Sequence, residues 1–267
     1  MWYTGKDYFR TAVAGVPVNK HDFPKIHFYD QDFVDIYNKT WSMLAAFWID
    51  PETSKESPSG CFLYPESGKC VIDQFESIFS SFFLVYSNRN FNASQNIDYF
   101  YDKQEKNGAI RWRYDAKTGK PVLPRTNPEG AGMPLFAWAE FNLYHKSANK
   151  RRIKEIMPKL QKYMTWLDET FKRENGLYAV PFTAGTMFNA PREKSVYPVD
   201  FNAAMAINAS HMSALGDILN DKDLSFQYRR MYFSIKTRIN SLMWDDATRF
   251  YHDLDKDGNR LNEKTIA

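Results

Sequence analysis

Apolar positions recur every three or four residues along most of the chain, the spacing of helices that bury one face. In 31–49 the repeat is Phe33, Ile36, Tyr37, Trp41, Leu44 and Trp48. In 150–172 it is Ile153, Ile156, Leu160, Tyr163, Leu167 and Phe171, and in 221–243 it is Leu224, Tyr228, Met231, Ile235, Ile239 and Leu242. Residues 91–104 are also amphipathic, with Ile97, Phe100 and Tyr101 set against polar neighbours. Three other stretches, 74–86, 133–146 and 198–219, are apolar on nearly every side. A helix of that kind must be covered all round, whereas a striped helix keeps one wet face. The order of types therefore predicts three pairs, a covered helix followed by a striped one, at 74/91, 133/150 and 198/221, with a loose internal period.

Within each pair the connection is short (87–90, 147–149 and residue 220), which makes antiparallel hairpins. Between pairs the connections are long: 50–73, 105–132 and 173–197. Long connections inside compact domains tend to be functional. Each leaves an outer helix and enters an inner one, so they are expected to gather at the N-termini of the inner helices and form the site there. Extended pieces at 109–113 and 177–180 are expected to pair locally.

Composition narrows the class. With 43% hydrophobic and 25% charged residues, an intrinsically disordered chain is excluded. The net charge of +3, from 35 basic and 32 acidic residues, gives no reason to expect a nucleic-acid partner. No apolar run approaches the roughly 18 residues that would suggest a membrane partner. The N-terminus lacks a basic start followed by an apolar core, so no signal peptide is expected, and the compartment is left open. Aromatic residues are plentiful, with 21 Phe, 16 Tyr and 7 Trp. Most are expected in the core, where each ring buries about 150–250 Å²; a minority would line a sugar-binding cleft. Cys61 and Cys70 flank a Pro-Glu-Ser-Gly turn and are either a hairpin disulfide or two free thiols.

The long loops carry the candidate chemistry. Arg111, Trp112, Arg113, Arg125, Asn127 and Glu129 crowd a Pro-Gly-rich entry to a covered helix. Guanidinium and amide groups suit hydroxyls and carboxylates, and Trp112 suits a sugar face. In the third loop Gly185-Thr186-Met187-Phe188-Asn189-Ala190-Pro191-Arg192 has no helical or strand period, and Asp200 follows in the first turn of the next helix. A carboxylate there is favoured by the helix dipole. At the first covered helix Asp73 is a natural N-cap and Glu76 lies in the first turn, so each has a structural reading beside the ligand-binding one.

These segments resemble the six-hairpin (α/α)6 glycosidases, in particular the trehalase-like and processing α-glucosidase-like families with their mannosylglycerate-hydrolase relatives. Gln74-Phe75-Glu76-Ser77 resembles the family's Gln-Trp-Asp-Thr stretch, which opens an inner helix and contacts the sugar. Ile97-Asp98-Tyr99-Phe100-Tyr101, then Gln104 and Asn107-Gly108-Ala109-Ile110, resembles Leu-Asp-Asn-Phe-Tyr…Gln…Asp-Gly-Ile. Asn127-Pro128 with Pro134-Leu135-Phe136-Ala137-Trp138-Ala139-Glu140 resembles Asn-Pro-Pro-Leu-Leu-Ser-Trp-Ala-Glu with an insertion. The stretch 185–192 resembles Ser-Gly-Met-Asp-Asn-Ser-Pro-Arg, and Val199-Asp200-Phe201-Asn202-Ala203 resembles Val-Asp-Leu-Asn-Ala.

The resemblance implies an all-α fold of stacked helical hairpins, an incomplete (α/α)6 toroid with about seven helices over 31–267, after an extended segment at 1–30. It implies a small carbohydrate partner, no cofactor and, in an intact relative, inverting hydrolysis by an acid and a base on opposite sides of the scissile bond. The expected sugar-contacting residues are Phe75, Glu76, Arg111, Trp112, Arg113, Asn127, Phe188, Asn189, Arg192 and Asp200. Three departures qualify the expectation of activity. Phe188 stands where the family has its acid, and a phenyl ring has no proton to give. Phe75-Glu76 replaces Trp-Asp. The family's second catalytic carboxylate lies in C-terminal hairpins, and this sequence ends at Ala267. The chain is accordingly read as a glycoside hydrolase-like protein that acts on or binds a small α-linked glucoside or related sugar. The alternatives are a catalytically inactive binding or scaffold descendant and a fragment of a larger enzyme. Seven helices in place of twelve would leave inner-helix surface uncovered, so truncation or self-association through that surface is expected.

Asp253-Leu254-Asp255-Lys256-Asp257-Gly258 matches the first half of a calcium loop, but its twelfth position is Lys264 and Phe250-Tyr251-His252 before it reads as a strand, so a Lys-Asp-Gly-Asn hairpin turn is the preferred account. The five histidines have no metal spacing, and His211 reads as a hydrogen-bonded core residue. Asn38, Asn92 and Asn208 fit the glycosylation acceptor pattern, but at least two fall in expected helices and chance suffices to explain them.

Overall fold

The computed structural model describes residues 23–47, 64–66, 69–87, 90–187 and 191–264. Among these are seven α-helices: α1 (Gln31–Phe47), α2 (Gln74–Leu84), α3 (Gln95–Asp102), α4 (Phe136–Ser147), α5 (Lys150–Phe171), α6 (Val199–Leu219) and α7 (Lys222–Arg238). Five short strands accompany them: β1 (Tyr64–Glu66), β2 (Lys69–Asp73), β3 (Arg113–Asp115), β4 (Trp244–Asp245) and β5 (Phe250–Tyr251). The protein is all-α. Among the described residues the strands form a three-stranded sheet, β1-β2-β3, and a two-stranded one, β4-β5. The described residues up to Asp102, with Arg113–Val122, make one compact unit; Lys103–Trp112 and those from Leu123 onward make a second.

In the first unit β2 is the central strand, antiparallel to β1 (Tyr64 opposite Val71) and to β3 (Ile72 opposite Tyr114). The two extended pieces that flank the Pro-Glu-Ser-Gly sequence therefore pair. Cys61 and the side chain of Cys70 lie outside the described residues. Strand character expected at 109–113 is confined to Arg113 and the two residues after it, and the partner is β2. Strand β2 runs directly into α2, where Asp73 caps the helix by accepting from the N–H groups of Phe75 and Glu76.

Helix α2 departs from the expected all-round burial. Ser77, Ile78, Ser80, Ser81 and Leu84 face inward, while Phe79 and Phe83 are exposed. On the inward side Ser81 donates its hydroxyl to Ile78 O, and the Asn96 side chain of α3 donates through Nδ2 to Ser77 O. Helix α3 is shorter than its pattern because Asn92 holds 92–94 in a turn, accepting from Ser94 N and Oγ. Its Tyr99 and Phe100 meet Tyr114 of β3 edge to face. Helix α1 also departs from its pattern. Of its expected stripe Trp41 is buried, stacked with Phe23 and Phe91, whereas Phe33 and Ile36 are exposed.

The second unit follows the periodicity closely. All six stripe residues of α5 are buried, from Ile153 to Phe171. Rings link its elements: Phe136 of α4 meets Tyr163, which stacks on Trp166; Trp166 meets Phe171, and Phe171 meets Phe201 of α6. The α4–α5 turn is closed by Ala148 in the left-handed region and by Asn149, which caps α5 through Arg152 N. The α6–α7 turn repeats the device with Asn220 left-handed and Asp221 as the cap. Buried Glu140 of α4 takes two hydrogen bonds from Arg152 of α5, at 2.7 and 2.8 Å. Loop 103–112 docks on α5 through Gln104, whose Nε2 donates to Lys159 O. Gly108 makes that approach feasible: its φ is +94°, and a Cβ there would lie 2.3 Å from Lys162 O. Helix α7 ends at Arg238, earlier than its pattern, and a π turn (Ile239–Met243) delivers the chain to β4. The piece at 177–180 pairs only through a bridge between Tyr178 and Lys172, and its backbone is held instead by Asn202, which bonds Tyr178 N and O.

Candidate functional site

The residues singled out from the sequence fall into three local groups. The first belongs to the first unit. Asp73 and Arg113 are cross-strand partners at the end of the β2–β3 ladder. That register brings Arg113 Nε to 2.7 Å from Asp73 Oδ2, while Asp73 Oδ1 receives Phe75 N and Glu76 N at 2.9 and 3.1 Å. Asp73 is buried; Glu76 is exposed one turn into α2. Partial burial and the Asp73 charge raise the Glu76 carboxyl above its ordinary value, opposed by the Arg113 charge. Phe75 is half-buried, its ring 4.4 Å from Phe79. Phe75, Glu76 and Arg113 therefore form one cluster: a ring, a carboxyl that keeps its proton more readily than usual, and a guanidinium. Those are groups that stack on and hydrogen-bond a polyol. Asp73 is the expected cap, and its pairing with Arg113 is one that no spacing in the sequence reveals.

The second group, in the second unit, ties 105–112 to 127–131. Arg111 donates through Nε and Nη2 to both oxygens of Glu105, each at 2.8 Å, and through Nη1 to Glu129 O at 2.6 Å. Its guanidinium also lies 5.6 Å from the ring centre of Trp166. Asn127 is fully buried, donating to Ala131 O at 2.8 Å and accepting from Ala131 N at 3.0 Å. Arg111 and Asn127, expected as sugar contacts, bond here to the protein itself. Trp112 is half-buried beside them, its N–H on Gly130 O.

The third group staples the 185–192 loop to the start of α6. Asp200 is buried. Its Oδ2 accepts from Thr186 N and Met187 N at 2.7 and 3.2 Å, and its Oδ1 from Arg192 Nη2 at 2.9 Å. Arg192, buried as deeply, also reaches Asp253 through Nε at 2.7 Å and Nη2 at 3.0 Å. Asp253 in turn caps α6 by accepting from Val199 N. Burial alone would raise Asp200; the Arg192 hydrogen bonds and charge, with the two loop N–H groups, outweigh it and hold the carboxyl low. Gly185 packs so closely that a Cβ would sit 2.3 Å from Asp200 Oδ2. The sequence placed Arg192 and Asp200 against ligand. In the structure both are spent inside the protein, because a buried pair of this kind is stable only when each partner's bonding capacity is met. Phe188 and Asn189 lie outside the described residues.

The hairpin turn expected at 253–258 is present, with Leu254 bridged to Arg260. Asp253 is committed to Arg192, and Asp255 closes a hairpin turn by accepting from Asp257 N and Asn259 N. Among the described residues no three His, Cys, Asp or Glu side chains group as metal ligands. His211 is half-buried on α6, its Nδ1 2.8 Å from Ile207 O, and burial lowers its pKa.

Comparison with known proteins places these groups in context. A relative from Borreliella burgdorferi, itself uncharacterized, is 47% identical over 249 residues, which is 93% of this chain and 52% of that protein. The chain thus spans about half the length of the curated relative it matches. Among solved structures, a sialidase superposes with a TM-score of 0.64 at 14% identity, over 88% of this chain and 20% of that one. A GH63 mannosylglycerate hydrolase from Thermus thermophilus, in complex with Tris and D-glycerate, superposes with a TM-score of 0.63 at 15% identity, over 85% of this chain and 69% of that one. At such identities the likeness is one of fold, and for the second it is the fold of the (α/α)6 glycosidases. The model of the mannosylglycerate hydrolase MGH1-like glycoside hydrolase domain matches residues 84–267, a span that includes the Arg192 staple and all four helices of the second unit. The chain belongs to the MGH1-like glycoside hydrolase domain family.

Proposed function

We propose that this chain binds a small α-linked glucoside or a related sugar without hydrolysing it, with Phe75, Glu76 and Arg113 among the contacting groups. One observation carries the reading: the scaffold of the 185–192 loop is kept while its acid is not. Arg192, Asp200 and the close-packed Gly185 hold the loop's base, yet the position of the family's general acid is Phe188. Hydrolysis of a glycosidic bond requires a proton on the leaving oxygen, and phenylalanine has none to donate. Ring stacking and the hydrogen-bonding groups around Asp73 need no such proton.

A second reading has its own support. The family is one of glycoside hydrolases, and a named structural relative is a mannosylglycerate hydrolase. In that reading the chain takes part in inverting hydrolysis with a carboxylic acid supplied from outside the 185–192 segment. Calorimetric titration and product analysis with trehalose, kojibiose, nigerose and mannosylglycerate separate the two. Binding of one sugar without product, weakened at least tenfold by Glu76→Ala or Arg113→Ala, supports the first reading. Turnover by the isolated chain overturns it in favour of the second. Absence of binding to all four sugars removes the sugar-site assignment at α2.

A further inference from the structure

Two carboxyls and one guanidinium meet where β2 runs into α2, and the guanidinium is already engaged. Asp73 accepts from Arg113 Nε on Oδ2 at 2.7 Å, and its Oδ1 is taken by Phe75 N and Glu76 N. The pair is largely withdrawn from solvent, the Arg113 side chain 20% exposed and that of Asp73 8%, so salt screens it little. Glu76 stands exposed beside the pair, and the charges that act on its carboxyl are those of Asp73 and Arg113. The fold fixes this surplus of acid: the ladder register sets Asp73 opposite Arg113, and the helix cap sets Glu76 three residues further on.

A carboxylate offers acceptors and no donors. A ligand hydroxyl can satisfy Glu76; a ligand carboxylate, phosphate or sulfate cannot. Such a group, drawn toward Arg113, would meet a cation whose charge Asp73 has cancelled, and would lie close to a second negative charge. Like charges brought together act against a partner and so set specificity. We propose that the mouth of α2 excludes anions: the sugar it accepts carries no carboxylate, phosphate or sulfate. Glu76 sets this specificity, and Asp73 is a positioning residue that holds Arg113 and cancels its charge. The specificity rests on the reading of Phe75, Glu76 and Arg113 as sugar contacts, and adds to it the class of sugar. Of the four sugars above, mannosylglycerate alone carries a carboxylate, and it is expected to bind worst.

Calorimetric titration of the full chain with charge-matched pairs tests this. One pair is mannosylglycerate and its amide, mannosylglyceramide; the other is methyl α-D-glucuronide and methyl α-D-glucoside. Members of a pair differ by one carboxylate and little else, and the ratio of affinities is read in whichever pair binds. At pH 7 and low salt the neutral member is expected to bind roughly tenfold tighter or more. Salt should shrink the ratio, because Glu76 is exposed and its charge is screened. Glu76→Gln keeps the size and removes the charge, so it should narrow the ratio by about threefold or more, mainly by strengthening the anionic member. Its exposed position lets a wild-type circular dichroism spectrum certify the fold. Asp73→Asn keeps a capping side chain and frees the Arg113 charge, so it should narrow the ratio as well; a merely structural role would weaken both members alike. Should Asp73→Asn fail to fold, Glu76→Gln decides the matter alone. An anionic member that binds as tightly as its neutral partner overturns the proposal and leaves the sugar-site reading standing. So does a ratio that Glu76→Gln leaves unchanged. If no member of either pair binds, the sugar-site reading falls, and this specificity falls with it.

Discussion

Replacing Arg192 by Met tests the staple that holds the 185–192 loop. Methionine keeps much of the volume and removes the charge and its bonds to Asp200 and Asp253. Two buried carboxylates would then be left without a cation. Breaking a buried ion pair from one side typically costs about 3–5 kcal/mol. Here the low end applies, since Asp200 retains the N–H groups of Thr186, Met187 and Phe201, and Asp253 retains that of Val199. About 3 kcal/mol corresponds to a fall of roughly 6–12 °C in melting temperature for a chain of this size. The pH dependence supplies a second signature. In the wild type the Asp200 carboxyl is held below its ordinary value of 3.8, so its stabilisation is present above that pH and is lost as the pH falls further. In the variant, burial without the cation raises the same carboxyl, so the deficit is largest at neutral pH and shrinks as acid protonates it. Adding Asp200→Asn and Asp253→Asn to Arg192→Met should recover part of the loss at pH 7, because no unpaired charge is then buried. Thermal melts followed by circular dichroism at pH 7 and pH 4 measure all of this. A fall of less than 2 °C, or an equal fall at both pH values, would refute the reasoning.

Three further outcomes are expected. Gly108→Ala forces a Cβ into Lys162 O at positive φ and should cost about 2 kcal/mol or more, seen as an earlier urea midpoint. Gly185→Ala pushes on the Asp200 carboxylate, so it should destabilise by about 1–3 kcal/mol and should add little to Arg192→Met; full additivity in a double-mutant cycle would contradict a shared network. Glu76→Gln should raise the melting temperature at pH 7 and leave it unchanged near pH 4. The folded carboxyl is raised above 4.5, so the stability it contributes below that value is lost as the pH rises. An equal gain at both pH values would show that charge is not the cause.

Most helices were legible because a buried face imposes its period on the sequence. The six stripe residues of α5 were found, and all are buried. The short turns were legible too, since Asn149 and Asp221 signal caps by residue type alone. Where the pattern misled, it did so through sidedness. Phe79 and Phe83 made α2 look covered all round, but its packed side is built from Ser77, Ser80 and Ser81, which a hydrophobic count passes over. Phe33 and Ile36 completed a stripe on α1, but of its described members only Trp41 is buried, while Phe33, against Phe28, and Ile36 stand exposed.

The candidate site was legible as a set of segments and not as a set of roles. Residue types and order sufficed to mark 73–76, 111–127 and 185–200 as unusual and to note that Phe188 cannot serve as an acid, because that rests on side-chain chemistry alone. Whether a polar side chain is offered to a ligand or spent on the protein is set by partners far along the chain. Asp73 meets Arg113 40 residues away, and Arg192 meets Asp253 61 residues away. Arg111, Asn127, Arg192 and Asp200 all carry chemistry suited to a sugar, and each is engaged within the fold. By itself the sequence determined the helices, their turns and the loss of the acid, since those follow from local periodicity and from what each side chain can do. The tertiary structure alone decided which polar groups are buried and paired and which, like Glu76, remain exposed, because desolvation and pairing depend on neighbours that only the folded chain brings together.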